Sequence, residues 1–256
     1  MEIFAQLDTW VALLTLTFLE IVLGIDNIIF ISIATNKLPK EQQKKGTNIG
    51  LVLAMVFRII LLLGISYIIA MKDPFFTINT SWLTTEITGQ SIILILGGIF
   101  LLYKSTNEIH HKVEGKEENA DNNIKKKGTT LTKVIIQIVL IDIVFSFDSV
   151  LTAVGMTNGV NGALTIMITA VVISMFIMML FANPVGKFVN KHPTIQMLAL
   201  SFLILIGFML IVEGAHLANT IIFHQHIGAI PKGYLYFAIA FSLGVEALNM
   251  KIRAKK

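Results

Sequence analysis

The chain has 256 residues, of which 55% are hydrophobic and 14% charged, at a mean hydropathy of +0.77. A soluble domain of this length has no core that could take so much apolar surface, so the composition excludes a water-soluble globule and calls for several membrane-spanning helices. The absence of cysteine excludes disulfides and thiolate metal sites, and the net charge of +4 reads as loop lysines rather than a nucleic-acid surface.

In chain order, seven spans are expected at roughly 9–35, 47–71, 89–104, 131–156, 162–182, 196–217 and 233–250. The first run lacks a basic leading region, is too long for a signal core and carries acids near its middle, so no cleavable signal peptide is expected. The polar stretch 105–130, "STNEIHHKVEGKEENADNNIKKKGTT", is the one long linker; its start can continue the third helix, and the rest reads as solvated. Seventeen lysines and arginines fall in the connections after spans 1, 3 and 5 and in the tail, against Lys72 and Lys232 on the other side and Arg58 within span 2. By the positive-inside rule the N-terminus faces out and the C-terminus faces the cytoplasm.

Two stretches break the apolar pattern: "LEIVLGIDN" (Leu19 to Asn27) in span 1 and "IDIVFSFDS" (Ile141 to Ser149) in span 4. Each has a carboxylate, an aspartate six residues on, and then a small polar residue, and the two lie 122 residues apart. An odd number of spans separates their starts, so the two helices cross the membrane in opposite directions. A second echo aligns "LILGGIFLLYK" (Leu94 to Lys104) with "LILIGFMLIVE" (Leu203 to Glu213) without gaps. The expected fold is therefore all-α and polytopic: seven transmembrane helices in a 3+3 inverted repeat plus one. Residues 1–104 form the first three-helix repeat, 105–130 a cytoplasmic linker, 131–217 the second repeat, and 218–256 an outer loop, the seventh helix and a basic tail.

A carboxylate at the bilayer centre costs about 2.5–3.5 kcal/mol, so Glu20, Asp26, Asp142 and Asp148 should face the bundle interior, paired, protonated or holding a cation. Residues six apart on a straight helix are rotated by roughly 240°, whereas the i,i+7 pairs Glu20 with Asn27 and Asp142 with Ser149 share a face. A kink or unwound turn at Gly24 and Ser146 would bring all of them inward and free backbone carbonyls as ligands. Glu20, Asp26, Asn27, Asp142, Asp148 and Ser149 are all oxygen donors, a set suited to Mn²⁺, Ca²⁺ or Mg²⁺ and not to a dedicated zinc or copper site. The bland alternative is that the acids pair with Arg58, Asn249 or backbone groups to fix packing; a proton relay is a third possibility.

These residues carry a resemblance. "LEIVLGIDNIIF" and "DIVFSFDSVLTAVGMTN" resemble the two signature motifs of the TerC family of integral membrane proteins, with "QMLALSF", "PKGYLYFAIAFSLGVEALN" and "EIHHKVEG" extending the likeness over essentially the whole chain. The family is named for an association with tellurite resistance, several members are linked to manganese export, and its fold resembles that of the LysE-type exporters. The resemblance implies Mn²⁺ efflux across the inner membrane, with the six oxygen-donor residues above at the matching motif positions.

Secondary candidates are Arg58, which could pair with Asp26 or Asp148 in one state, and Glu213, Glu246 and Asn249 near helix ends. His110 and His111 beside Glu108 and Glu114 read as solvated linker, His224 and His226 as plain loop, and Met175, Met178 and Met179 as packing. No nucleophile–base arrangement, phosphate loop or dinucleotide fingerprint is present, so neither an enzyme nor a cofactor is expected. The reading is a secondary exporter of divalent cations, with the lipid bilayer, the cation and protons as its partners. Its rivals are an exporter of a small organic solute and a membrane scaffold or assembly factor linked to secretion or metal stress.

Overall fold

A computed structural model describes residues 7–114, 130–157, 160 and 162–253. Most of the expected linker, including Lys116 and Lys125 to Lys127, lies outside the described residues, as do Lys255 and Lys256 and the side chain of Asp26. The helices are α1 (Leu7–Thr35), α2 (Lys40–Leu63), α3 (Ile65–Ala70), α4 (Gly89–Val113), α5 (Leu131–Met156), α6 (Ala163–Lys191), α7 (Pro193–Leu217) and α8 (Lys232–Arg253). Seven of them are long and apolar enough to span a membrane, the short α3 being the exception.

Helix ends depart from the hydropathy reading where polar residues still favour a helix. Pro39 precedes α2 as its N-cap, so α2 starts in the polar segment from Lys40, and it ends at Gly64, which hands over to α3. α4 begins on a capping box: Thr88 accepts from the backbone of Ser91, whose hydroxyl accepts from the Thr88 amide. It then runs past the apolar stretch to Val113, with His110 paired to Glu114 on its exposed last turn. α6 continues through Pro184 to Lys191, nine residues beyond the expected boundary.

The chain folds as two compact units that interleave in sequence, one from residues 1–70 with 127–190 and one from 71–126 with 191–256. In the first unit, Gly50 meets Ile138 and Arg58 meets Ser146, so α2 and α5 run parallel. Glu20 with Arg58 and Thr35 with Thr47 pair α1 antiparallel to α2. It follows that α1 and α5, the two helices carrying the acidic motifs, run in opposite directions.

In the second unit α4 packs antiparallel along α7, through a seam of small residues. A Cβ on Gly98 would lie 2.4 Å from the carbonyl oxygen of Gly207, and one on Gly207 would lie 2.9 Å from that of Gly98. Two turns of the seam further, a Cβ on Gly214 would lie 2.9 Å from the carbonyl oxygen of Ser91. Only glycine permits such close backbone approach. Gly98 and Gly207 are the two residues that the ungapped repeat places in register.

The all-α expectation is corrected in this unit. β1 (Pro74–Asn79), β2 (Leu83–Thr88), β3 (Ile221–Ile222) and β4 (Gln225–His226) form one antiparallel sheet in that order. "PFFTIN" and "LTTEIT" are rich in aromatic and β-branched residues, which favour the pleated surface, and Thr80 closes the turn between them by bonding Leu83. The segments after spans 2 and 6, both expected as outer loops, meet where Leu83 pairs Ile222. That places them on the same face of the membrane. The β3–β4 turn uses Phe223 and His224, both at positive φ (48° and 65°).

Candidate functional site

The centre of the first unit is a buried polar cluster contributed by α1, α2 and α5. Arg58 projects from α2 with 2% of its surface exposed and is among the largest fully buried side chains. Its guanidinium forms an ion pair with Glu20 of α1 and a second with Asp142 of α5, at 3.2 Å, while its Nε donates to the Ser146 hydroxyl at 2.9 Å. The Ser146 hydroxyl in turn donates to the other oxygen of Asp142 at 3.0 Å, and Asn27 of α1 donates its amide to Asp142 at 3.4 Å. The guanidinium's fork thus bridges carboxylates from the two motif-bearing helices, a geometry for which arginine is suited and lysine is not.

The helices explain this convergence. Glu20 and Asn27 lie two turns apart on one face of α1, and Asp142, Ser146 and Ser149 follow one face of α5 at i, i+4 and i+7. All are buried, and the Ser149 hydroxyl donates to the Ser146 carbonyl at 3.3 Å. The expected unwinding at Gly24 and Ser146 does not occur: α1 and α5 are continuous α-helices through both positions. Ser146 serves through its hydroxyl instead of its backbone, and Gly24 makes room for Met178, whose sulfur occupies the place a Cβ would take. Asp148 lies on another side of α5, half-buried, its backbone carbonyl accepting from Thr152.

The cluster's charge does not close at neutrality. With both carboxylates ionised, one guanidinium leaves a net negative charge, in a region where an isolated charge is costly. Its hydrogen bonding is also incomplete: Asn27 Oδ1 is buried and accepts no hydrogen bond among the described residues. A void of about 10 Å³ lies beside Glu20, walled by Leu16, Leu62 and Val150. That is about the space of one water and far too little for a hydrated metal ion. A dehydrated divalent cation would find oxygen from Glu20, Asp142, Asn27 and Ser146, once the guanidinium had moved aside. Among the described residues no three acidic or histidine side chains stand together as a ready metal site.

Arg58 could pair with Asp26 or Asp148 in one state, by the sequence, or form a structural salt bridge; the partners it takes among the described residues are Glu20 and Asp142. Ser146 is the member that residue-by-residue reading passed over as a kink position, although its i+4 spacing from Asp142 signals a shared face. Glu213, Glu246 and Asn249 belong to the second unit. There the Asn249 amide donates to Glu246 at 3.4 Å, with Arg253 3.9 Å away, at the end of α8. Met175 and Met178 are buried packing residues, and His224 and His226 are exposed in the β3–β4 hairpin.

The fold and this centre define a polytopic membrane protein that holds a charged network inside its helical interior. The chain belongs to the TerC family of integral membrane proteins, whose family model matches residues 5–256. It is 47% identical over 249 residues to the UPF0053 inner membrane protein YgdQ of Escherichia coli strain K12, covering 97% of this chain and 95% of that protein. It is 43% identical over 252 residues to a UPF0053 protein of Haemophilus influenzae, covering 98% of each. The UPF0053 inner membrane protein YoaE of Escherichia coli strain K12 is 43% identical over 253 residues, which are 99% of this chain and 45% of that one. No solved structure matches. With seven apolar helices and relatives so named, the chain is a multi-pass inner-membrane protein.

Proposed function

We propose that the protein is a secondary transporter, and not an enzyme, that exports a divalent cation, with Mn²⁺ as the first candidate. The observation that carries this reading is the convergence of repeated acidic motifs from two oppositely running helices on one buried cluster. In this reading Arg58 is a tethered stand-in for the cargo. It neutralises Glu20 and Asp142 when no ion is bound, and two carboxylates released from it match the charge of one divalent cation. Asn27 Oδ1, without a donor, supplies a neutral oxygen to the ion. Asp26 and Asp148, at the matching motif positions, extend the path, and protons returning through the same acids supply the energy.

The 3+3 inverted repeat belongs to the same proposal, as does the topology with the N-terminus out and the C-terminus in. Antiparallel α1 and α5 and the mutual approach of Gly98 and Gly207 are what a two-fold relation between repeats would produce. Such repeats provide two access states around a fixed site.

A second reading has its own support. Arg58 already neutralises the acids, and the void beside Glu20 is small. Both suit a static scaffold. Reconstituted protein separates the two. The transporter reading expects saturable Mn²⁺ flux into proteoliposomes, at least tenfold slower in Asp142→Asn and in Glu20→Gln, and faster with an imposed pH gradient. Absence of flux in the unsubstituted protein would sink it and favour the scaffold. Flux indifferent to the pH gradient would remove only the proton coupling.

A further inference from the structure

A cleft of about 310 Å³ opens in the first unit where the C-terminal end of α1, the N-terminal end of α2 and the C-terminal end of α6 come together. Its volume is at the lower end of the range for small-ligand sites. Lys40, Lys44 and Lys187 line it, and no carboxylate does. None of the three ammonium groups makes a hydrogen bond or ion pair among the described residues. Three uncompensated positive charges around one concave polar surface repel one another, and the arrangement is relieved by a multivalent anion.

The rest of the lining agrees. Ser32 is 6% exposed and faces the cleft, and its hydroxyl has no hydrogen bond among the described residues. That leaves a hydroxyl on a mostly buried residue open to whatever occupies the cleft. Asn183 adds an amide, and the opposite wall is kept open by Gly186, where a Cβ would approach Ser32 Oγ to 2.9 Å. The first turn of α2 begins at Lys40 with no side-chain cap, which leaves amide donors and the positive end of the helix dipole beside the lysines.

We propose that this cleft binds a phosphate group, with Lys40, Lys44 and Lys187 as its charged ligands and Ser32 and Asn183 as its neutral ones. Lysine serves phosphate as a mobile point charge. The cleft sits at the helix ends that the lysine count assigns to the cytoplasm, where basic pockets between helices take phospholipid head groups. A soluble phosphate offers the same chemistry. The site does not depend on the transport reading, and a cation approaching by this route would be repelled.

The test uses the purified full chain in a neutral detergent, with unfolding temperature followed against added phosphatidylglycerol, phosphatidylcholine or inorganic phosphate. Stabilisation by phosphatidylglycerol and not phosphatidylcholine identifies a lipid head group; stabilisation by inorganic phosphate identifies a soluble ligand. In either case Lys40→Gln/Lys44→Gln/Lys187→Gln should raise the half-saturating concentration at least tenfold. Asn183→Leu, which retains every charge and fills the cleft, should do the same. The proposal is overturned if neither probe stabilises the protein or if these variants respond as the parent does. Equal weakening in a control with the same charge loss elsewhere, Lys45→Gln/Lys133→Gln/Lys251→Gln, would also overturn it.

Discussion

The α2–α5 contact of the first unit and the α4–α7 contact of the second solve one problem by different means. Helices in lipid gain little from burying apolar side chains against each other, so their association relies on polar contacts or on close backbone packing. The first pair is joined by a guanidinium, two carboxylates and a serine, with α1 drawn into the same network. The second is joined by glycines that each have a backbone carbonyl of the facing helix within 3 Å of the place a Cβ would take. The glycine seam has one tight arrangement and no chemistry to exchange. The ion cluster is built of charged groups, and on the transport reading a cation or proton replaces the guanidinium on its carboxylates. On that reading, function belongs with the first.

The largest effect expected from breaking this contrast is at Arg58. Arg58→Gln leaves two buried carboxylates facing each other and should destabilise the fold by about 3–5 kcal/mol, read as the shift in an SDS or thermal unfolding curve. Replacing the whole cluster, Arg58→Leu with Glu20→Leu and Asp142→Leu, should restore most of that loss, because an apolar cluster carries no unpaired charge. Flux should nevertheless stay absent. If the triple variant were as unstable as Arg58→Gln, the network would be serving packing in a way that charge does not explain.

The sequence alone made the cluster's ingredients legible, but not their pairing. Acids in apolar spans announce themselves, and i,i+7 spacing put Glu20 with Asn27 on one face. Which acids Arg58 reaches depends on the vertical offset between α1, α2 and α5, and hydropathy carries no such information. The six-residue spacing of the motif acids suggested an unwound helix. In fact α1 and α5 stay regular, and the acids that meet the guanidinium among the described residues are Glu20 and Asp142. The glycine seam was half-visible: an ungapped repeat set Gly98 against Gly207, yet similarity of sequence does not say that two segments touch. The sheet was missed because the pairing of Leu83 with Ile222 joins residues far apart in the chain, although the aromatic and β-branched content of "PFFTIN" and "LTTEIT" was there to read. The basic cleft was hidden in lysines that the positive-inside rule explains equally well as loop charge.

A smaller effect sharpens the seam itself. Gly98→Ala would push a methyl group onto the carbonyl oxygen of Gly207 and the backbone nitrogen of Ile211, neither of which can turn away. The expected loss is about 3 kcal/mol, at the upper end for an overpacked contact. Gly50→Ala meets only the branched side chain of Ile138, at 3.0 Å, and should cost less than half as much, while Gly244→Ala meets nothing within 4 Å. That ranking, measured in the same unfolding assay, distinguishes backbone contact from ordinary side-chain crowding. Equal costs at Gly98 and Gly50 would mean that the seam adjusts more freely than its geometry implies.

The smallest effect has the opposite sign and falls in the β3–β4 hairpin. A two-residue turn with both φ values positive suits the twist of the strands, and asparagine followed by glycine is the pair best adapted to it. Here Phe223 and His224 hold those angles, with φ of 48° and 65°, and a bulky side chain in that region is strained. Phe223 retains a partial return from Trp82, whose ring centre lies 6.3 Å from its own and whose carbonyl accepts the Phe223 amide. Phe223→Asn with His224→Gly keeps the amide bond, gives up the ring contact and relieves two strained residues. The net gain should be about 1 kcal/mol, seen as slower amide exchange at Ile227, whose N–H bonds Thr220 across the hairpin. Faster exchange would show that the aromatic contact outweighs the strain, and that the exposed Trp82–Phe223 pair is the reason this turn tolerates residues its backbone disfavours.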